Sequence, residues 1–161
     1  MSLINHRRRS ARWHGASQKV RQSAAPLFLD RIDIQCEITP VPFKDISKAA
    51  QGEPSAEIRK RVIRAREIQA ERFSGQKGIH CNAQMSERMI HQYAEPDEAG
   101  ISMLRMAMER LSLSARAYNR ILKVARTIAD LEGCEHVESH HLAEAIGYRT
   151  LDRGDWAERG I

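Results

Sequence analysis

The sequence predicts a mainly α-helical fold: a small helical bundle preceded by a short β-strand segment and a disordered, basic N-terminal arm. Three observations carry that prediction. Between Leu113 and Leu131, the residues Tyr118, Ile121, Leu122, Ala125, Ile128 and Ala129 recur at three- and four-residue steps, which lines them along one helix face. Ser86, Ser114 and Ser139 stand just ahead of helical patterns, where a side-chain oxygen can accept from an otherwise unpaired backbone N–H. Aromatic residues are only 5% of the 161, so the core must be built from Leu, Ile, Met and Ala, which suits a small helical body. This length holds one modest domain, or one domain with a tail.

Residues 1–25 show no apolar periodicity and read as a disordered arm. Arg7, Arg8, Arg9, Arg12, Lys19 and Arg21 precede Asp30 with no acidic residue among them, a charge of +6. The remaining 20 Lys+Arg and 21 Asp+Glu come to −1, so the net +5 belongs to the arm and the body is near neutral. Such an arm can contact nucleic-acid phosphates by releasing counterions. The plainer alternative is a leader, or a vector or gene-boundary remnant.

From Ile32 to Ile38, apolar and polar residues alternate as in a half-buried strand, and Pro40 and Pro42 then stop it because neither has a ladder N–H. Gln51-Gly52-Glu53-Pro54 forms a turn. Ser55 opens a helix to about Ser74, with Ile58, Val62, Ala65 and Phe73 broadly inward. Arg59, Lys60, Arg61, Arg64, Arg66 and Arg72 mark its solvated face, partly neutralised by Glu57, Glu67 and Glu71. Gly75 and Gly78 break the chain, and Ser86 caps a short helix to about Tyr93. Asp97 begins another helix, whose Ile101, Leu104, Met108 and Leu111 are core positions. Gly133 is a plausible stop for the 114–132 helix. Ser139 caps a last helix carrying Leu142, Ala143 and Ile146, and beyond Tyr148 the charged tail has Trp156 as its large anchor. The organisation is therefore an arm over 1–25, an irregular and extended segment over 26–54, a helical body over 55–150 and a flexible tail over 151–161.

Several functions are disfavoured. No apolar run reaches membrane-spanning length, and the N-terminus has no apolar signal-peptide core. Cys36, Cys81 and Cys134 are scattered with no CxxC pair, as in a cytoplasmic protein with reduced thiols. Cys134, His136, His140 and His141 match no strong zinc spacing, and adjacent His140 and His141 should face apart on a helix, so no metal site is expected. The chain has no GxxxxGK[ST] phosphate loop, and Asp97-Glu98 follows Pro96 rather than an apolar strand. Nucleotide hydrolysis by this chain alone is not expected, nor is tight binding of ATP or Mg²⁺.

One residue stands apart. With Ser114 as N-cap, Arg116 falls in the first helical turn, at the end carrying partial positive charge. An arginine beside unpaired N–H groups makes sense if a phosphate or similar anion sits in front of both; the other reading is a solvated arginine bordering a buried helix.

Ser114-Ala115-Arg116 with the following Ile-Leu-x-x-Ala-Arg-Thr-Ile-Ala-Asp-Leu run resembles the C-terminal lid of magnesium-chelatase-like AAA+ ATPases of the competence-protein ComM type. Leu29-Asp30-Arg31-Ile32-Asp33-Ile34, Val41-Pro42-Phe43, Ser55-Ala56-Glu57-Ile58-Arg59, Ala70-Glu71-Arg72-Phe73, Cys81-Asn82-Ala83-Gln84-Met85-Ser86 and Ala143-Glu144-Ala145-Ile146 with Tyr148-Arg149 follow the family in order, from about Pro26 to Arg153. The resemblance implies that 26–54 ends the ATPase core and 55–150 is the lid. It implies that Arg116 is the sensor-2 arginine, touching ATP of its own subunit. Arg31 would be the catalytic arginine finger, reaching the γ-phosphate of ATP in the neighbouring subunit, a task for which a rigid, always-charged guanidinium is suited. The residues themselves also allow Arg31 to be a partner of Asp30 or Asp33 at a strand edge. The family usually has Ser-Gly-Pro-Leu-Leu-Asp-Arg, whereas this chain has Ala24-Ala25-Pro26-Leu27-Phe28-Leu29-Asp30-Arg31, one residue longer before the arginine.

The implied function is that of the intact ATPase: ATP and Mg²⁺ as cofactors, the core and neighbouring subunits of a homo-hexamer as partners, and DNA translocation or branch migration as the work. Chelatase relatives instead insert magnesium into a porphyrin. The rival classes are a non-enzymatic interaction module derived from the lid and a basic-armed nucleic-acid binder. None of these involves a membrane.

Overall fold

The computed structural model describes residues 31–36, 38 and 52–149. The basic arm, the Pro40 and Pro42 stop and the tail with Trp156 lie outside the described residues. Five α-helices and one 3₁₀ turn make up the described body: α1 (Ser55–Arg72), the turn Asn82–Gln84, α2 (Glu87–Tyr93), α3 (Glu98–Leu111), α4 (Ala115–Glu132) and α5 (Ser139–Gly147). The mainly α-helical prediction holds.

Local chemistry sets most of the boundaries. Ser86, Asp97 and Ser114 each accept a hydrogen bond from the backbone N–H three residues on, at Met89, Gly100 and Ala117. Each bond satisfies one donor that the first helical turn leaves unpaired. Helix α1 opens at Ser55 as expected, with Pro54 in the N-cap position, where its fixed φ suits the extended geometry. One start differs by one residue from expectation. Glu138, not Ser139, caps α5, and its backbone N–H donates to His141 Nδ1 at 2.9 Å. Helix α4 ends at Gly133 with φ +78°, and Cys134 N–H returns to Ala129 O at 2.8 Å, a Schellman closure. A Cβ at Gly133 would also stand 3.3 Å from Arg64 Nη2, so glycine serves both the left-handed turn and the approach of that guanidinium to the helix C-terminus.

Helix α4 is the axle of the body. Its Ala117, Ile121, Leu122, Ala125, Ile128 and Ala129 are buried, and Tyr118 packs half-buried against the same core. They meet Phe73, Met85, Met89, Ile90, Leu104, Val137 and Leu142 from the surrounding elements. Helix α3 reaches α5 closely: a Cβ at buried Gly100 would meet Leu142 Cδ1 at 2.7 Å.

The inward face expected of α1 is corrected, and Ile101, expected in the core of α3, is exposed (39%). Every residue of α1 from Ser55 to Arg64 is exposed, so Ile58 (42%) and Val62 (45%) do not face inward. Ala65 and Gln69 are buried, followed by Phe73 just past the helix, and Arg72 reaches Asp130 and Asn82, because α1 meets α4 with its C-terminal half. The strand expected from Ile32 to Ile38 is not confirmed: residues 31–36 and 38 carry no strand, and Glu37 lies outside the described residues. Gln35 N–H donates to Tyr148 O at 3.0 Å, and Arg149 donates to the Ile32 carbonyl. The segment thus lies against the end of α5, with Ile34 exposed.

A polar knot joins α1, the 3₁₀ turn and α4 at the centre. Asp130 is fully buried, and its Oδ1 accepts from Arg72 Nη2 (2.5 Å) and Arg126 Nε (3.1 Å). Its Oδ2 accepts from Asn82 (2.7 Å), Arg72 Nη1 (2.8 Å) and Gln69 (3.2 Å). Arg126 spends its remaining donors on the carbonyls of Cys134 and Glu135, at 2.6 and 2.7 Å. Burial pushes the Asp130 carboxyl up, but the hydrogen bonds from Arg72 and Asn82 and the charges of Arg126 and Arg72 together hold it below the usual carboxylate range.

Asp130→Asn keeps the shape but leaves two guanidinium groups without their counter-charge. Loss of one partner from a buried pair costs about 3–5 kcal/mol, a large fraction of the stability of such a domain. The urea midpoint should fall accordingly. A carboxyl depressed in the folded state contributes stability that is present above its unfolded value of about 3.9 and is lost as pH falls through the folded value. The acid limb of the wild-type stability profile should therefore flatten in Asp130→Asn; an unchanged limb would contradict the assignment.

Candidate functional site

The sequence places Arg116, Asn119, Arg120 and Lys123 at positions i, i+3, i+4 and i+7 of α4, one stripe along the helix. The structure turns this stripe into a wall. The four residues line an open cleft of about 220 Å³, lined also by Ala83 from the 3₁₀ turn and Asp33 from the segment ahead of the body. Ser114 fixes where α4 begins, and so sets Arg116 in its first turn. Asn82, buried and bonded to Asp130 and Thr127, fixes the 3₁₀ turn, and Ala83 O next to it accepts from Lys123 Nζ at 2.9 Å.

Three cations and one carboxylate leave the cleft with a positive balance. Burial lowers the Lys123 ammonium from its ordinary value, Asp33 opposes that, and the Arg120 charge adds to it. A group held in this way gains from an added anion. Arg120 pairs with Asp33, whereas Arg116 is exposed and has no ion pair among the described residues. Arg31 is exposed on the segment that carries Asp33 into the cleft, two residues away. The structure thus brings Arg116 together with Asp33, the near neighbour of Arg31. Arg120 and Lys123 were missed in the sequence, although their four- and seven-residue spacing from Arg116 was there to be read.

A second cluster lies at the α4–α5 corner. His140 Nε2 and His141 Nε2 stand 3.0 and 3.1 Å from the same Glu132 Oε2, and their ring centroids are 3.9 Å apart. The expectation that these adjacent histidines face apart is therefore corrected. At the first turn of α5, His141 folds back onto the cap, and His140 leans over it. Three possible ligand atoms lie within 4.8 Å of one another, a donor set that zinc accepts. The hydrogen bonding opposes that use. Because Glu138 N–H donates to His141 Nδ1, the ring proton of neutral His141 sits on Nε2 and donates to Glu132. A neutral imidazole binds metal through its unprotonated nitrogen, here the one enclosed in the helix cap. The cluster is a corner brace.

The family profile described as magnesium chelatase, subunit ChlI, C-terminal matches residues 52–149. Competence protein ComM of Haemophilus influenzae is 41% identical over 127 residues, covering 78% of this chain and 24% of that protein. Uncharacterized protein YifB of Salmonella typhimurium is 42% identical, and YifB of Escherichia coli 39%, over the same length and with the same shares. The chain spans about a quarter of the length of these curated relatives. It belongs to the magnesium-chelatase C-terminal family, of ComM type, and the matched residues include α1 to α5 with Arg116, Arg120 and Lys123. No helix among the described residues is long and apolar enough to cross a membrane.

The corner brace makes a pH prediction. The hydrogen bond to Glu132 raises His140 above its ordinary value, against a smaller opposing effect of burial. A raised histidine contributes stability that is fully present below the unfolded value of about 6.5 and is lost as pH rises through the folded value. In Glu132→Gln, the His140 midpoint followed by NMR should return toward the ordinary value. An unmoved midpoint would contradict the brace.

Proposed function

We propose that this family member acts as the C-terminal lid of a magnesium-chelatase-like AAA+ ATPase, coupling ATP binding and hydrolysis to remodelling of a six-membered ring. The observation that supports the reading is the convergence of Arg116, Arg120 and Lys123 on one open cleft at the start of α4. Three cations on a rigid helix suit a polyphosphate, because fixed donors need no reordering when the anion arrives. The residues present fit the phosphate chain of ATP; the phosphate loop and the Mg²⁺ ligands would come from the core.

In this reading, Arg116 is the sensor-2 arginine. By bonding to the terminal phosphate held in its own subunit, it draws the helical body toward the core and closes the lid. Arg31, on the segment tied to α5, is presented to the next subunit, where it stabilises developing phosphoryl charge. Hydrolysis removes the bond that holds the lid shut. The competence name of the Haemophilus influenzae relative favours DNA as the material moved, by translocation or branch migration in the cytoplasm, over magnesium insertion into a porphyrin.

The test is a chimaera in which residues 52–149 replace the matching segment of the Haemophilus influenzae relative. The chimaera should hydrolyse ATP, and Arg116→Ala within it should lower turnover about 10- to 100-fold, the worth of one charge-assisted hydrogen bond. Because Arg116 is exposed and alanine favours helix, the circular dichroism spectrum should not change. Equal turnover with and without Arg116 would refute the sensor assignment.

A further inference from the structure

The cationic cleft already holds an anion of its own. Asp33 Oδ1 accepts from Arg120 Nη1, so a carboxylate already engages one of the cleft's three cations. The side chains are 50% and 29% exposed. A pair so open to water is weak, and a multivalent anion bridging Arg116, Arg120 and Lys123 outcompetes a single carboxylate.

The attachment of this segment is uneven. Arg149 at the end of α5 donates to the Ile32 carbonyl, and Tyr148 O accepts from Gln35 N–H. Asp33 ties the segment to α4 through Arg120, and it lies between the two tethers at the end of α5. Breaking that pair removes a described tie to α4 while the two ties at the end of α5 remain, with Arg31 just outside the first of them.

We propose that Asp33 is a latch: it occupies the α4 cleft until the phosphate chain of a nucleotide takes its place, and the exchange releases the segment that bears Arg31. The proposal rests on the nucleotide reading of the cleft. It adds a consequence that neither arginine has alone. The nucleotide bound by one subunit governs how that subunit presents Arg31 to the next, so adjacent sites in a ring are coupled through one ion pair.

The experiment is an NMR titration of the 161-residue chain with sodium tripolyphosphate. The amides of Arg116, Asn119, Arg120, Lys123 and Asp33 should shift with one midpoint. The heteronuclear NOE of Arg31 should fall as the latch opens, while Gln35 remains ordered. Asp33→Asn should bind the anion about 2- to 5-fold more tightly, with Arg31 mobile before any is added. If the α4 amides shift while Asp33 and Arg31 do not, and Asp33→Asn binds with wild-type affinity, the latch is overturned and the phosphate cleft stands. Shifts absent, or spread at the same midpoint over the arginine face of α1, would overturn the latch and the nucleotide reading together.

Discussion

The buried carboxylate of Asp130 is the constraint on which the rest of the structure depends. An ionised acid in the middle of a small helical body is tolerable only when its lone pairs are filled. Five donors from four residues fill them, drawn from α1, the 3₁₀ turn and α4 itself. Because Gln69, Arg72 and Asn82 lie 48 to 61 residues before Asp130, satisfying one side chain fixes the placement of three elements. Apolar packing alone would let α1 slide on α4, since hydrophobic contact has no direction. The charged knot removes that freedom. Arg126 carries the constraint further, holding the carbonyls of the turn that leads into α5.

The site follows from this arrangement. Asn82 bonds to Asp130 and also sets the 3₁₀ turn, whose Ala83 carbonyl takes the Lys123 ammonium. The wall opposite α4 is therefore positioned by the same carboxylate that anchors the core. At the other end, Ser114 determines the helical phase in which Arg116, Arg120 and Lys123 face one way. The core is built to be rigid and the cleft to be open. The segment with Asp33 and Arg31 is attached by a few polar bonds at its edge, which suits a part that moves.

Most of the helical order was legible in the sequence because it is local. Ser86, Asp97, Ser114 and Gly133 act within a turn of themselves, so their chemistry can be read one residue at a time. The α4 core stripe was equally plain, since a strongly periodic run has one sensible buried face. What escaped depends on contacts distant along the chain. Ile58 and Val62 have the spacing of a buried face, but nothing local says that α4 ends before it can cover them. Arg126 and Asp130 stand four apart inside the apolar run, a pairing in plain view, but its partners Arg72 and Asn82 come from other elements. Arg116 was found through its position at a helix start, whereas Arg120 and Lys123 gained meaning only when Asp33 and Ala83 joined them in lining the cleft. The two histidines were judged by ideal helical geometry, which a side chain folded back into its own cap does not follow.

The central claim is that the start of α4 faces the phosphates of a nucleotide held by an ATPase core. The most direct measurement is a structure of the assembled ring carrying this helical body, with ATPγS bound. The account predicts the Arg116 guanidinium within hydrogen-bonding distance, about 3 Å, of the terminal phosphate. An Arg116 side chain turned to solvent in every nucleotide-filled subunit, with the α4 stripe away from the site, would contradict it.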